Sequence, residues 1–150
     1  MNHTVALSAS TDKTSTRASL SFRDQSGTTP NTDQKRYAMA VNTKMTFNKY
    51  IDFDLSANYI RTKSANLPGT GYNSTNALQS IMQWFGRQVD LKDLKNNWDQ
   101  VYEYGKYTHY NWIQSFHANP YWTLNKNTNS YDRNRFYGKT SLYVLSLIHI

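Results

Sequence analysis

The sequence predicts an all-β fold, namely antiparallel strands of a transmembrane β-barrel, about five of them, with a long outside loop that contains a short α-helix. Three observations carry this. Apolar and polar residues alternate over stretches of ten or more positions, the connections between stretches run short, medium, short and very long, and the composition is poor in aliphatic residues yet rich in aromatic ones. Only 38% of the residues are apolar while 15% are aromatic, and both values fit if each strand has one wet side and one apolar side.

The first strand is expected over 3–10, with Val5, Leu7 and Ala9 opposing Thr4, Ala6 and Ser8. A polar turn at Thr11, Asp12 and Lys13 leads to a second strand over 15–24, where Ala18, Leu20 and Phe22 oppose Arg17, Ser19, Ser21 and Arg23. The segment Ser26 to Gln34 holds Gly27, Pro30, Asn31 and Asp33 and reads as a loop. A third strand over 36–47 sets Tyr37, Met39, Val41, Thr43, Met45 and Phe47 against Ala38, Ala40, Asn42, Lys44 and Thr46. After a turn at Asn48 and Lys49, a fourth strand over 50–62 sets Ile51, Phe53, Leu55, Ala57 and Tyr59 against Asp52, Asp54, Ser56 and Asn58. The fifth strand is expected over 133–144, with Phe136, Gly138, Thr140, Leu142 and Val144 on one face.

Barrels of the outer membrane have tight turns on the periplasmic side and extended loops outside. On that rhythm Asp12-Lys13 and Asn48-Lys49 belong to the periplasmic side, and Ser26 to Gln34 and the long loop, about 63–130, belong outside. Tyr37 and Phe47 share a face ten residues apart. At about 3.3 Å per residue and a tilt near 40° they are roughly 25 Å apart along the membrane normal, the height of an apolar band between aromatic girdles. The alternative is a β-sandwich whose aromatics fill a core, although strands this long exceed the usual length in globular sheets.

Within the long loop, Ser74 is placed to cap a helix carrying Leu78, Ile81, Met82 and Phe85, with Gly86 as its stop. Val89, Leu91 and Leu94 suggest a second short turn, and Trp98 to Tyr121 reads as irregular. Leu145 to Ile150 is nearly continuous apolar sequence without alternation and is read as a non-native tail, 145–150, beyond a natural end near Tyr143 or Val144.

Several functions are disfavoured. With no cysteine there is no disulfide framework, thiolate metal site or cysteine nucleophile. The net charge of +7 is scattered, with Lys35-Arg36 the longest basic run, so nucleic acid is not an expected partner. His3, His109, His117 and His149 lack metal-ligand spacing, and no catalytic motif or cofactor loop appears. Asp52 and Asp54 share a strand face, an ordinary arrangement on the wet side of a barrel. The chain has no signal peptide, so an export address is expected outside it.

Thr11-Asp12-Lys13-Thr14-Ser15, Arg17-Ala18-Ser19-Leu20-Ser21, Pro30-Asn31-Thr32 and Lys35-Arg36-Tyr37 resemble the first barrel hairpins of the SusC/RagA family of TonB-linked outer-membrane proteins. In the same order, Gln83-Trp84-Phe85-Gly86-Arg87-Gln88-Val89-Asp90-Leu91, Asn119-Pro120-Tyr121-Trp122-Thr123-Leu124-Asn125 and Asp132-Arg133-Asn134-Arg135-Phe136 are similar to later landmarks of that family, so the resemblance spans about 2–144. It implies a fragment of an importer of glycans or peptides that works with a plug domain, the TonB complex and a SusD-type surface lipoprotein. The expected location is the outer membrane.

On this reading Leu20, Phe22, Tyr37, Met39, Val41, Phe47, Phe53, Leu55 and Tyr59 face lipid, and Arg17, Arg23, Asn42, Lys44, Asp52, Asp54 and Asn58 face the lumen. Trp98, Trp112, Tyr121 and Trp122 are candidates for ligand or lid contact, because flat aromatic rings offer apolar area with little entropy to lose. The same rings could instead pin the loop to itself. A soluble β-rich carbohydrate-binding module is the alternative function, and it would need a second sheet over Tyr37, Met39, Val41, Phe53 and Leu55.

Overall fold

The structure, a computed structural model, describes residues 1–73, 75–101, 110–113 and 117–145. The fold is mostly β, an open five-stranded antiparallel sheet accompanied by three short helices. The strands are β1 (Asn2–Ser10), β2 (Thr14–Ser26), β3 (Asp33–Asn48), β4 (Ile51–Ser64) and β5 (Tyr131–Val144), and they lie in the sheet in chain order. Alternation placed each strand end to within three residues, the largest difference being the start of β3 at Asp33. The helices are α1 (Ala77–Trp84), α2 (Leu91–Asn96) and α3 (Pro120–Lys126).

Local chemistry fixes the turns. Between β1 and β2 the backbone N–H of Thr11 donates to the Thr14 carbonyl at 2.7 Å, and the Thr11 hydroxyl accepts from the Thr14 N–H at 3.1 Å. Asn48 shapes the β3–β4 turn by accepting from the Tyr50 N–H at 2.8 Å, a side-chain bond that stands in for a backbone one. A register irregularity lies between Thr46 and Asn48, so Ile51 stands opposite Asn48 and the apolar alternation continues across the turn.

The chain divides into two compact units. One is the sheet, from 1–25, 35–63 and 132 onward. The other combines the β2–β3 connection, 26–34, with the β4–β5 connection, 64–131. In a meander these two connections leave the strands at the same end, which allows them to condense. Asn31 and Asn66 both donate to the Leu124 carbonyl, at 2.8 and 2.9 Å, and Asn66 also donates to the Asn31 carbonyl at 3.0 Å.

The units differ in their interiors. The buried apolar residues among those described, Ala77, Leu94 and Leu124, all belong to the loop unit. The sheet has none.

Three expectations need correction. The described residues of the loop carry three helices where one helix and a turn were expected. Asn119 followed by Pro120 starts α3 inside a stretch read as irregular, because Pro at the first helical position lacks only an N–H that no helix would use. Asn76 caps α1, its side chain accepting from the Gln79 N–H at 3.2 Å, while the expected cap Ser74 lies outside the described residues, as do Tyr102, Tyr104, Tyr107, His109 and the tail from 146 onward.

Gly138 on β5 marks a close approach to β4. A Cβ there would meet the Ser56 carbonyl oxygen at 2.7 Å, and that oxygen belongs to backbone that cannot swing aside. Gly138→Val should therefore cost about 1–3 kcal/mol. Urea unfolding followed by β-sheet circular dichroism checks it; an unchanged midpoint would contradict the close approach.

Candidate functional site

The sheet is the first candidate surface, and its registers and cross-strand contacts sort its residues onto two faces. In β1 and β2, Val5 stands opposite Leu20 and Leu7 opposite Ala18. In β3 and β4, Met39 stands opposite Tyr59, Val41 opposite Ala57, Thr43 opposite Leu55 and Met45 opposite Phe53. Between β2 and β3, the Phe22 and Tyr37 rings lie 5.0 Å apart and the hydroxyls of Thr16 and Thr43 are 3.2 Å apart, which joins the two hairpins through one face. The Phe47 and Phe53 rings meet at 6.4 Å. Between β4 and β5, the Tyr59 hydroxyl donates to Asn134 at 2.8 Å and Arg61 pairs with Asp132 at 2.8 Å, so by strand period Phe136, Leu142 and Val144 join this face too.

The structure thus places Leu20, Phe22, Tyr37, Met39, Val41, Phe47, Phe53, Leu55 and Tyr59 together on one side. Leu20 is 55% exposed, Met39 51% and Phe136 74%, and no second sheet is present among the described residues to cover them. Charges appear on this side only at the loop-bearing ends of the strands, where Asp24 pairs with Lys35 at 3.8 Å and Arg61 with Asp132.

The opposite side is polar. Arg17 stands opposite Ser8 and Arg23 opposite Asn2. Lys44 stands opposite Asp54, Thr46 opposite Asp52 and Asn58 opposite Ala40. Asn42 accepts from the Ser56 hydroxyl at 2.7 Å, and that hydroxyl accepts from Asn58 at 3.3 Å. A shallow groove of about 160 Å³ runs between Asn42, Lys44, Asp54, Ser56 and Lys139. All seven residues expected to face a lumen lie on this side.

The loop unit holds the second candidate, its aromatic residues. Trp112 packs edge-on against Phe85 at 4.6 Å and stacks on His117 at 5.9 Å with the rings 9° from parallel. Trp84 lies over the same imidazole at 5.2 Å. A cleft of about 180 Å³ beside this stack is lined by Tyr72, Asn73, Gln79, Ser80, Trp84 and His117. Trp98 is half-buried, with the Lys126 ammonium 5.8 Å from its ring centre, and Tyr121 and Trp122 are half-buried on α3.

The four aromatic candidates are therefore not brought to one point. Trp112 belongs with Trp84, Phe85 and His117, and Trp98 neighbours the end of α3. His117 had no sequence signal, since its partners come from segments more than thirty positions upstream and from Trp112 nearby. The Trp112 indole N–H and His117 Nδ1 are buried and have no hydrogen-bond partner among the described residues. No group of three or more metal-binding side chains occurs among the described residues.

Buried asparagines hold this unit in shape. Asn119, fully buried, caps α3 by accepting from the Tyr121 N–H at 2.9 Å and donates to the carbonyls of Leu94 at 3.0 Å and Tyr110 at 2.9 Å. Tyr110 in turn hydrogen-bonds the Asp93 carboxylate on α2. One amide thus ties α2, position 110 and α3 together.

No protein-family model, no curated protein and no solved structure matches the chain.

Asn119→Ala removes the cap and the two bonds donated to the Leu94 and Tyr110 carbonyls, which should cost on the order of 3 kcal/mol within the loop unit. Limited proteolysis of the purified protein reads this directly. Cleavage between 90 and 130 should accelerate by roughly a hundredfold while the sheet fragments stay protected; equal cleavage rates would contradict the anchoring role of this amide.

Proposed function

We propose that the chain forms part of an outer-membrane, TonB-dependent importer of glycans or peptides, with the sheet as a section of barrel wall and the loop unit as an outside surface for cargo or a lid protein. The observation that carries this is the bare apolar face of a single-layer sheet whose other face is polar.

In water that face would leave a contiguous apolar patch uncovered, which soluble monomers avoid. In a bilayer it meets acyl chains, and the polar face lines a wet interior. The aromatic residues sit where such a wall needs them. Tyr37 and Tyr59 lie toward the loop-bearing end, and Phe47 and Phe53 lie at the β3–β4 turn. Aromatic side chains form the girdles at the two interfacial levels of such a barrel. The separation of long loop connections from tight turns at opposite ends of the meander agrees with the same orientation.

The ordered resemblance to the SusC/RagA family supplies the transport half of the reading, with TonB and a surface lipoprotein as partners. Trp98, Trp112, Tyr121 and Trp122 then serve the outside surface, mainly as packing that shapes it. A soluble carbohydrate-binding sandwich would require a layer over Met39 and Leu55, and the described residues supply none.

Because the sequence holds no cysteine, single-cysteine variants label cleanly. In outer-membrane preparations, cysteine at Leu20, Met39 or Leu55 should resist a charged maleimide and react with a membrane-soluble one, while cysteine at Lys44 or Asn58 should do the reverse. Equal reaction of both sets with the charged reagent would sink the membrane reading. Separately, Val41→Arg, midway between the Tyr37 and Phe47 levels on the apolar face, should destabilise the bilayer-inserted protein by about 2–4 kcal/mol, because a charge facing the middle of the hydrocarbon has no water. The same substitution on a water-exposed sheet would change almost nothing.

A further inference from the structure

The wet face of the sheet is not evenly charged along the strands. Its carboxylates, Asp52 and Asp54, lie on β4 near the β3–β4 turn. Its loop-bearing end carries arginines. Phe22 with Tyr37, Thr16 with Thr43 and Asp24 with Lys35 all obey one antiparallel register, and in that register Arg23 stands directly opposite Arg36.

Both side chains point to the wet side, since their neighbours Phe22, Asp24, Lys35 and Tyr37 point to the other. Like charges directly opposite each other in a sheet are unfavourable. The nearby carboxylates do not relieve them, because Asp24 and Asp132 are engaged with Lys35 and Arg61 on the far face. Two strand spacings away from Arg36, about 9–10 Å, β5 adds Arg133 and Arg135 on the same wet side. The β4 residues between them, Asn58, Ile60 and Thr62, are neutral. None of these four arginines forms an ion pair among the described residues. Arg135 instead lies 5.1 Å from the ring centre of Tyr137, which stands next to it on the wet face.

We infer that these arginines form a binding patch for an acidic oligosaccharide, one whose sugar rings carry carboxylate or sulfate groups. This deepens the importer reading and rests on it. Guanidinium forks match planar or tetrahedral oxyanions through paired hydrogen bonds, and an oxyanion between Arg23 and Arg36 removes their mutual repulsion. Tyr131 and Tyr137 flank Arg133 and Arg135 on the same face of β5 and add flat apolar faces for sugar rings, which favours a charged glycan over an acidic peptide.

The test uses the intact protein extracted from outer membranes in neutral detergent and three probes: oligogalacturonate, a neutral malto-oligosaccharide of equal length, and polyglutamate. Oligogalacturonate should bind, should weaken with added salt, and should lose affinity by at least roughly tenfold in Arg23→Gln/Arg36→Gln. Arg23→Lys/Arg36→Lys should retain part of the binding, and Lys49→Gln at the β3–β4 turn should retain all of it. If the glutamine pair fails to assemble, Arg133→Gln/Arg135→Gln reads the same patch. The inference is overturned if the neutral sugar binds as well as the acidic one, if polyglutamate binds as tightly as oligogalacturonate, or if the arginine variants bind like wild type. Loss of oligogalacturonate binding with the cysteine-labelling pattern intact removes this inference alone; loss of the pattern removes the importer reading beneath it.

Discussion

A sheet one layer thick has two faces, and the physical constraint on this protein is that only one of them suits water. Burial of apolar surface stabilises by about 25 cal/mol per Å², and a globular sheet captures this by packing a second layer on its apolar side. Here the apolar sides of five strands meet edge to edge across continuous registers, from Val5 and Leu20 through Met39 and Tyr59 to Phe136, with no second layer among the described residues. On the importer reading the environment supplies the apolar medium. That single requirement explains why the sheet has no buried apolar residue, why its charges are kept to the wet face and the strand ends, and why its composition looks too polar for a folded chain.

The loop unit solves the opposite problem. It has a small apolar interior of Ala77, Leu94 and Leu124, too little to organise a long connection by itself. Buried amides do the rest. Asn66 accepts from the Asn129 N–H at 3.0 Å and donates to Asn31 and Leu124, while Asn119 joins α2 to α3. Amides suit this task because each offers donors and an acceptor without the desolvation penalty of a charge. The abundance of asparagine in the sequence thus has a structural use in the loop, distinct from its solvated role on the strands.

Much of the sheet was legible in the sequence because a period of two survives any tertiary arrangement. The alternation in Tyr37 to Phe47 fixed strand, face and neighbour at once, and the tight turns at Thr11 to Lys13 and at Asn48 fixed the pairing. The loop was legible only where its chemistry is local. The apolar spacing of α1 was visible, whereas α3 was hidden by Pro120, which reads as a helix breaker unless it is seen at the first helical position behind Asn119. The stack of Trp84 and Trp112 on His117 was not readable, since no periodicity links those positions. The opposition of Arg23 and Arg36 lies between these cases. Each residue was assignable to the wet side from its own strand, but their encounter depends on the length of the 27–32 turn, where Gly27 donates to the Thr32 carbonyl at 2.8 Å and Asn31 adopts a φ of 55°.

The meander order also says what the importer reading must bring with it. β1 and β5 are the two outer strands, and each has one side paired and one side without a neighbouring strand among the described residues. In water such edges are tolerable, because solvent satisfies the backbone groups. Within hydrocarbon each unsatisfied N–H or carbonyl costs several kcal/mol, so an open sheet of this width could not persist there. If the apolar face is for lipid, the edges must be closed by further strands into a complete barrel. The wet face then becomes the inside of that barrel, and the arginine-bearing ends of β2, β3 and β5 lie near its outer mouth, where an incoming ligand arrives first.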